Sequence, residues 1–248
     1  MDISLYYEER GAGFPLILLH GNGEDHSYFV HQLDAFAGTY HVFAPDTRGH
    51  GATPRGTAPM TIRQFADDLL EFLSAHQLEQ VHLLGFSDGG NTALCFALSH
   101  PERVRSLVLN GANLHPSGVR RRTQWPIEWG YRVASCFAQK SAEAARHAEL
   151  LGLMVNDPMI PPEALTSLHI PTLVIAGTND MILRRHTEQI AQLLPDAELA
   201  LLPGNHFLAN RRPDEFNRHV AAFLQKHTPP LKIHAESGER PPHPDVCS

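Results

Sequence analysis

Cysteine is scarce and unpatterned in this chain: Cys95, Cys136 and Cys247 are the only three in 248 residues, and none forms a C-x-x-C pair. That scarcity excludes a disulfide framework or a thiolate zinc cluster as the basis of the fold and predicts a reducing, cytoplasmic setting. No basic-then-apolar region opens the sequence at Met1-Asp2-Ile3-Ser4, and no apolar run approaches membrane-spanning length, so neither a signal region nor a membrane partner is expected. Basic residues are outnumbered, 20 against 27 acidic, for a formal net charge of −7. The chain therefore lacks the electrostatic footprint of a nucleic-acid binder, and the one basic cluster, Arg120-Arg121-Arg122, is too short to supply it. Charged residues make up only 19% against 42% hydrophobic, which excludes wholesale disorder. Histidine is abundant, at 17, but H-x-H, H-E-x-x-H and Cys/His pairs at ligand spacing are missing, so no metal or cofactor is expected. No internal repeat is visible.

What is present is an alternation of short apolar runs with helical periods, in a chain long enough for a sizeable core. Ile3 to Glu8 alternates as a strand does. Pro15 to Leu19, Val81 to Leu84, Ser106 to Leu109 and Thr172 to Ala176 are continuous apolar runs of the kind a sheet covered on both faces requires, with His41 to Ala44 and Glu198 to Leu202 as weaker strands. Between them, Thr61-Ile62-Arg63-Gln64 has capping-box form, and Ile62, Phe65, Ala66, Leu69, Leu70 and Leu73 share a helix face. Further helices are read over Gly90 to Leu98, over Arg185 to Leu194 and from Pro213, with Phe216, Val220, Phe223 and Leu224 inward. This is the pattern of an α/β protein with right-handed crossovers. From Asn113 to Leu168 helix-like portions occur at 127–137 and 142–154 without a clear strand. The expected organisation is a core of residues 1–112 and 169–227, a small helical cap over 113–168, and a flexible tail over 228–248 marked by Pro229-Pro230 and Pro241-Pro242.

The chemistry centres on Gly85-Phe86-Ser87-Asp88-Gly89-Gly90, which follows an apolar run and precedes a helical stretch. A sharp strand-to-helix bend lifts a serine oxygen clear of the backbone and brings the two segments so close that only very small residues fit at positions 85 and 89. A serine hydroxyl is a poor nucleophile without a base, and that base needs a partner to orient it. Asp180 follows the run 172–176, and His206 follows 198–202. The order Ser87, Asp180, His206 is that of serine elbows on α/β sheets, with His206 as the base and Asp180 as its orienter. The loop His20-Gly21-Asn22-Gly23 after the run 15–19 is a candidate oxyanion hole, with the Asn22 N–H as one donor and the Asp88 N–H as the other.

These segments, together with Asp46-Thr47-Arg48-Gly49-His50-Gly51 and Gly204-Asn205-His206-Phe207, resemble the α/β-hydrolase superfamily in its cofactor-free, capped serine-hydrolase branch, over about residues 3 to 227. The resemblance implies a mostly parallel sheet of seven or eight strands flanked by helices, with the chain starting at what looks like the family's second strand. It also implies that the Asp46–Gly51 loop is a structural turn beside the site and not a second catalytic centre. Serine at the elbow points to acyl chemistry and away from dehalogenases and epoxide hydrolases, whose elbow carries aspartate. The leading expectation is an esterase-like enzyme that cleaves a small carboxylic ester or related acyl bond through an acyl-serine intermediate. Two alternatives are a carbon–carbon bond hydrolase of a diketone ring-fission product and a non-catalytic small-ligand receptor on the same fold. Phe86, Trp125, Trp129, Met181 and Phe207 are the candidate lining of an apolar substrate pocket, and a monomer or small homo-oligomer is expected.

Overall fold

In the computed structural model, residues 2–230 are described. Seven strands, β1 (Tyr7–Arg10), β2 (Phe14–Leu19), β3 (Tyr40–Pro45), β4 (Val81–Phe86), β5 (Val104–Asn110), β6 (Thr172–Gly177) and β7 (Ala197–Leu202), form one sheet in the order β1-β3-β2-β4-β5-β6-β7. Every neighbouring pair is parallel except β1 with β3, in which Tyr7 lies opposite Pro45 and Arg10 opposite Val42. The parallel strands are apolar on both sides because both faces are covered. On β2, Leu16 and Leu18 pack with Leu33 and Phe36 of α1 (Val30–Phe36) and Phe216 and Val220 of α8 (Pro213–His227). Ile17 and Leu19 join the opposite layer, with Leu69 and Phe72 of α2 (Ile62–Ala75), Leu94 and Phe96 of α3 (Asp88–Ser99), and Ile190 of α6 (Arg184–Leu193). Each fully buried side chain of this size contributes about 1.5–3 kcal/mol.

The helix ends follow their local chemistry. Thr61 caps α2 by accepting from the Gln64 N–H at 3.1 Å. The reciprocal arm of the capping box is not made, since Gln64 Nε2 donates to Asp68 at 3.0 Å. The expected strand over residues 3–8 is shorter and displaced. Asp2 is held by Arg48, Thr57 and Ala58, and the Tyr6 N–H donates to Thr53 Oγ1 at 2.8 Å, so residues 2–6 lie along the 46–58 loop and pairing starts at Tyr7. Ile3 and Leu5 are buried there without belonging to the sheet.

Between β5 and β6 the chain makes α4 (Arg121–Phe137) and α5 (Ala142–Asn156), packed on each other. Helix α4 starts six residues before the expected Ile127 and carries Pro126 in its interior. The tail expected from Thr228 begins in an anchored residue: the Thr228 hydroxyl donates to the Leu224 carbonyl at 2.7 Å and contacts Tyr40 and His82, each at 3.1 Å. The rest of that expectation, residues 231–248, lies outside the described residues. Among the described residues, no helix is long and apolar enough to cross a membrane.

Candidate active site

Ser87 sits between β4 and α3, at the carboxyl end of the central strand, with φ 53° and ψ −119°. Such a conformation costs a non-glycine residue about 1–3 kcal/mol and persists only where the surroundings over-determine it. Here they do: the Ser87 N–H donates to the Asn110 carbonyl at 2.8 Å, and the Ser87 carbonyl accepts from the Asn91 N–H at 3.0 Å. A Cβ on Gly85 would run into the Gly89 carbonyl, and one on Gly89 into the Leu19 carbonyl. The two glycines therefore let helix, nucleophile strand and neighbouring strand converge.

The loops after β6 and β7 bring the other two predicted residues to Ser87. His206 Nε2 lies 3.0 Å from Ser87 Oγ, and His206 Nδ1 lies 2.7 Å from Asp180 Oδ1. Asp180 and His206 are buried, at 3% and 5% exposure. Asp180 Oδ1 also accepts from the Ile182 N–H at 2.9 Å, while the Asp180 carbonyl accepts from Arg120 Nε at 2.7 Å, so the carboxylate is held by its own turn and by the start of α4. Gly111, at φ 66°, was not singled out from the sequence. A Cβ there would come within 2.8 Å of the His206 ring, so the imidazole occupies space that any other residue would fill. Its only signal was a glycine directly after a buried strand.

Asn22 lies in the loop after β2, and Asp88 is the first residue of α3, where the helix leaves backbone N–H groups without internal partners. The Asn22 Nδ2 donates to the Leu150 carbonyl of α5 at 2.7 Å, tethering this loop to the insertion. The Asp88 carboxyl is buried. It accepts from Asn91 Nδ2 at 3.1 Å through one oxygen and has no partner on the other, and burial pushes its pKa up to about 6. Glu24 accepts from the Gly21 N–H at 3.2 Å, and burial raises its carboxyl to about 7. Tyr28 stacks on Phe86 with ring centroids 4.3 Å apart and planes at 5°. Neither Glu24 nor Tyr28 belongs to a motif, which is why sequence reasoning passed over them.

Of the five candidate pocket residues, three are near the His206 ring or its orienter. Phe86 is buried with its ring 4.8 Å from that of His206, half-exposed Phe207 lies 5.7 Å from it, and half-buried Met181 adjoins Asp180. Trp125 and Trp129 stand apart from these three on α4, both 62% exposed: Trp125 borders a cavity of about 490 Å³ with Val119, Gln124 and Leu183, and Trp129 a groove along α5, while Gln124 is the buried residue of that helix and donates to the Met154 carbonyl of α5 at 3.0 Å.

The Asp46–Gly51 loop also gathers acids and imidazoles, but it uses them on itself. Asp46 accepts from the His26 N–H at 2.7 Å and the Ala52 N–H at 2.8 Å, and touches the His26 ring at 2.8 Å. His20 contacts the Gly21 carbonyl through Nδ1 at 2.8 Å and accepts from the Thr47 N–H through Nε2 at 3.0 Å. Its burial lowers the pKa to about 4, which keeps the ring neutral at pH 7. Arg48 is fully buried and forks onto Asp68 at 2.7 and 2.8 Å. Asp25, His26 and Asp46 bring candidate metal-ligand atoms within 4.8 Å of one another, but the contacts above and that of Asp25 with the Ser27 N–H at 2.9 Å already use them.

A two-sided covered sheet with a strained serine after its central strand, an aspartate after the next-but-one and a histidine after the edge strand defines a class of protein. The alpha/beta hydrolase fold family profile matches residues 15–154. The chain belongs to that family and is a hydrolase. It is similar to the serine hydrolase BPHL of Mus musculus, 30% identical over 247 residues that cover 90% of this chain and 84% of the relative. It is also similar to RutD of Azorhizobium caulinodans, a protein named for carbamate hydrolysis, at 27% identity over 252 residues covering 90% and 95% of the two chains. Among solved structures, the meta-cleavage product hydrolase CumD of Pseudomonas fluorescens IP01 superposes with a TM-score of 0.73 at 24% identity, over 90% of this chain and 95% of that one, a likeness of fold.

Proposed function

We propose that this hydrolase cleaves a small carboxylic ester or a related acyl bond through an acyl-Ser87 intermediate. The observation that carries the reading is the continuous line Ser87 Oγ–His206–Asp180, with separations of 3.0 and 2.7 Å. His206 Nε2 takes the hydroxyl proton as Oγ attacks the acyl carbon, and the Asp180 carboxylate holds the Nδ1 proton and stabilises the imidazolium. The oxyanion of the tetrahedral intermediate is received by the Asn22 and Asp88 N–H groups, a pair of donors each worth about 2.7–4 kcal/mol in the transition state. Collapse expels the leaving group with the proton from His206. A water activated by the same imidazole then releases the acid and restores Ser87. A carbamate carbonyl is open to the same attack, so the name of the RutD relative extends the substrate range to be tried.

Residues 113–168 are read as a small cap over this site, with α5 tied to the oxyanion loop through Asn22, and its small size favours short acyl chains. The deciding experiment is a panel of p-nitrophenyl esters of increasing chain length, a carbamate and a vinylogous diketone, with Ser87→Ala as control. The expected result is a burst with acetate or butyrate, faster turnover of short chains than long, and loss of turnover in Ser87→Ala. Activity on the diketone with little on esters would favour carbon–carbon bond hydrolysis. Failure of a folded sample to label with a fluorophosphonate probe would favour the receptor reading.

A further inference from the structure

Nine large hydrophobic side chains are exposed among the described residues, and four of them stand on α4: Trp125, Trp129, Val133 and Phe137, at 62%, 62%, 39% and 53% exposure. They recur every fourth residue, so they form one ridge along the helix. Beside that ridge, on the α5 side, a groove of about 510 Å³ is lined by Trp129, Val133, Phe137, Ala144, His147 and Leu151. On the other side stand Glu128 and Arg132, each one residue before a ridge position. The aromatic side chains of such a ridge cover about 150–250 Å² each when buried, so the patch is comparable with the largest that a monomer ordinarily exposes.

We propose that this ridge is the interface of a homodimer in which a second copy of the chain packs α4 against α4 about a two-fold axis. Packing of i±4 ridges into each other is the commonest helix–helix arrangement, with axes crossing at about 50°. An antiparallel two-fold centred on the ridge sets Trp125 level with Phe137 of the second copy and Trp129 level with Val133. The same operation keeps each side of the ridge facing its own copy. Glu128 then meets Arg132 of the second copy, twice, so the symmetry that buries the apolar ridge also pairs opposite charges along its flank. Arg121 and Arg122 at one end and Lys140 beyond the other end are like charges that the crossing angle splays apart. With both copies counted, the area is at the lower limit for specific association, which predicts a reversible dimer with a Kd on the order of 10 µM.

Sedimentation velocity over a concentration series spanning that Kd tests the proposal on the full chain. The expected result is a monomer–dimer equilibrium. Trp129→Glu, which is exposed and so compatible with folding, raises Kd at least about 100-fold, because a central aromatic anchor is replaced by a charge. Glu128→Arg raises Kd about 10-fold by opposing Arg132, and Glu128→Arg with Arg132→Glu restores it to within about 3-fold of the parent. A monomer at every concentration overturns the proposal, as does a Trp129→Glu dimer of unchanged affinity. A charge swap that fails to restore association overturns the two-fold. Co-sedimentation of a strictly monomeric protein with phosphatidylcholine vesicles would assign the ridge to a lipid surface instead.

Discussion

Two buried clusters in this molecule contain the same ingredients. One joins Asp180 to His206, and the other joins Asp46, His26 and His20 around the turn after β3. They differ in what the imidazoles face. His206 spends Nδ1 on a carboxylate and turns Nε2 toward a serine oxygen at 3.0 Å, so a proton has somewhere to come from and somewhere to go. His20 spends both nitrogens on backbone groups, at 2.8 and 3.0 Å, and its ring serves as a strut between the loop after β2 and the neighbouring turn. Residue type is shared, and the partners of the two ring nitrogens, a carboxylate and a serine hydroxyl against two backbone groups, separate the arrangements.

Substitutions in the two clusters should therefore fail in different ways. The largest effect is expected for Asp180→Asn, which keeps the shape but favours the wrong His206 tautomer. It should lower kcat by about 10⁴-fold with thermal stability nearly unchanged, checked by ester turnover and melting in parallel. Loss of stability without loss of rate would reverse the contrast. Next is Asp68→Ala, which leaves the buried Arg48 without its forked partner. It should cost about 3 kcal/mol in urea unfolding, because the buried guanidinium loses two charge-assisted hydrogen bonds and keeps only the partly buried Asp2 as its counter-charge. His20→Ala should cost about 1–3 kcal/mol by orphaning the buried Thr47 N–H, with a smaller fall in kcat than Asp180→Asn.

The effect that is smallest per step, spread over several pH units, concerns pH. His20 and His82 are buried and neutral in the folded protein, with pKa values lowered to about 4 and about 3, chiefly by burial. In the unfolded chain they take up protons below the ordinary histidine value of 6.5. Acidification through that value stabilises the unfolded state first. The stability contributed by the neutral rings is complete above 6.5 and declines as pH falls toward the folded values, by at most about 1.4 kcal/mol per pH unit for each group. Glu24 and Asp88, raised to about 7 and about 6, take up protons in the folded state over the same range and work in the opposite direction, so the test is a difference: His82→Gln should make the change of melting temperature between pH 7 and pH 5 less destabilising than in the parent, and an identical profile would contradict this.

Much of this was open to sequence reading for a local reason. The elbow needs Gly85 and Gly89 because backbone atoms meet there, and the order Ser87, Asp180, His206 follows from loops at the carboxyl ends of successive strands. Helices α2 and α8 were legible because their apolar periodicity faces a layer that is present. For α4 no such face guides the reading: Trp125 and Trp129 stand out by side-chain type, which says nothing of how much of each ring is covered, and both are 62% exposed. Residues 2–6 misled: Ile3 and Leu5 alternate as a strand would, but Asp2 and Tyr6 bind the loop after β3.

By itself the sequence determined the class of fold and the strand-turn-helix elbow, because each depends on short-range backbone geometry or on strand order. Tertiary structure alone decided that Gly111 makes room for the His206 ring, that Asn22 ties the loop after β2 to α5, and that the imidazoles of two acid–histidine clusters face different partners. Those outcomes depend on distances between segments far apart in the chain. No local pattern encodes which atom a buried imidazole will face.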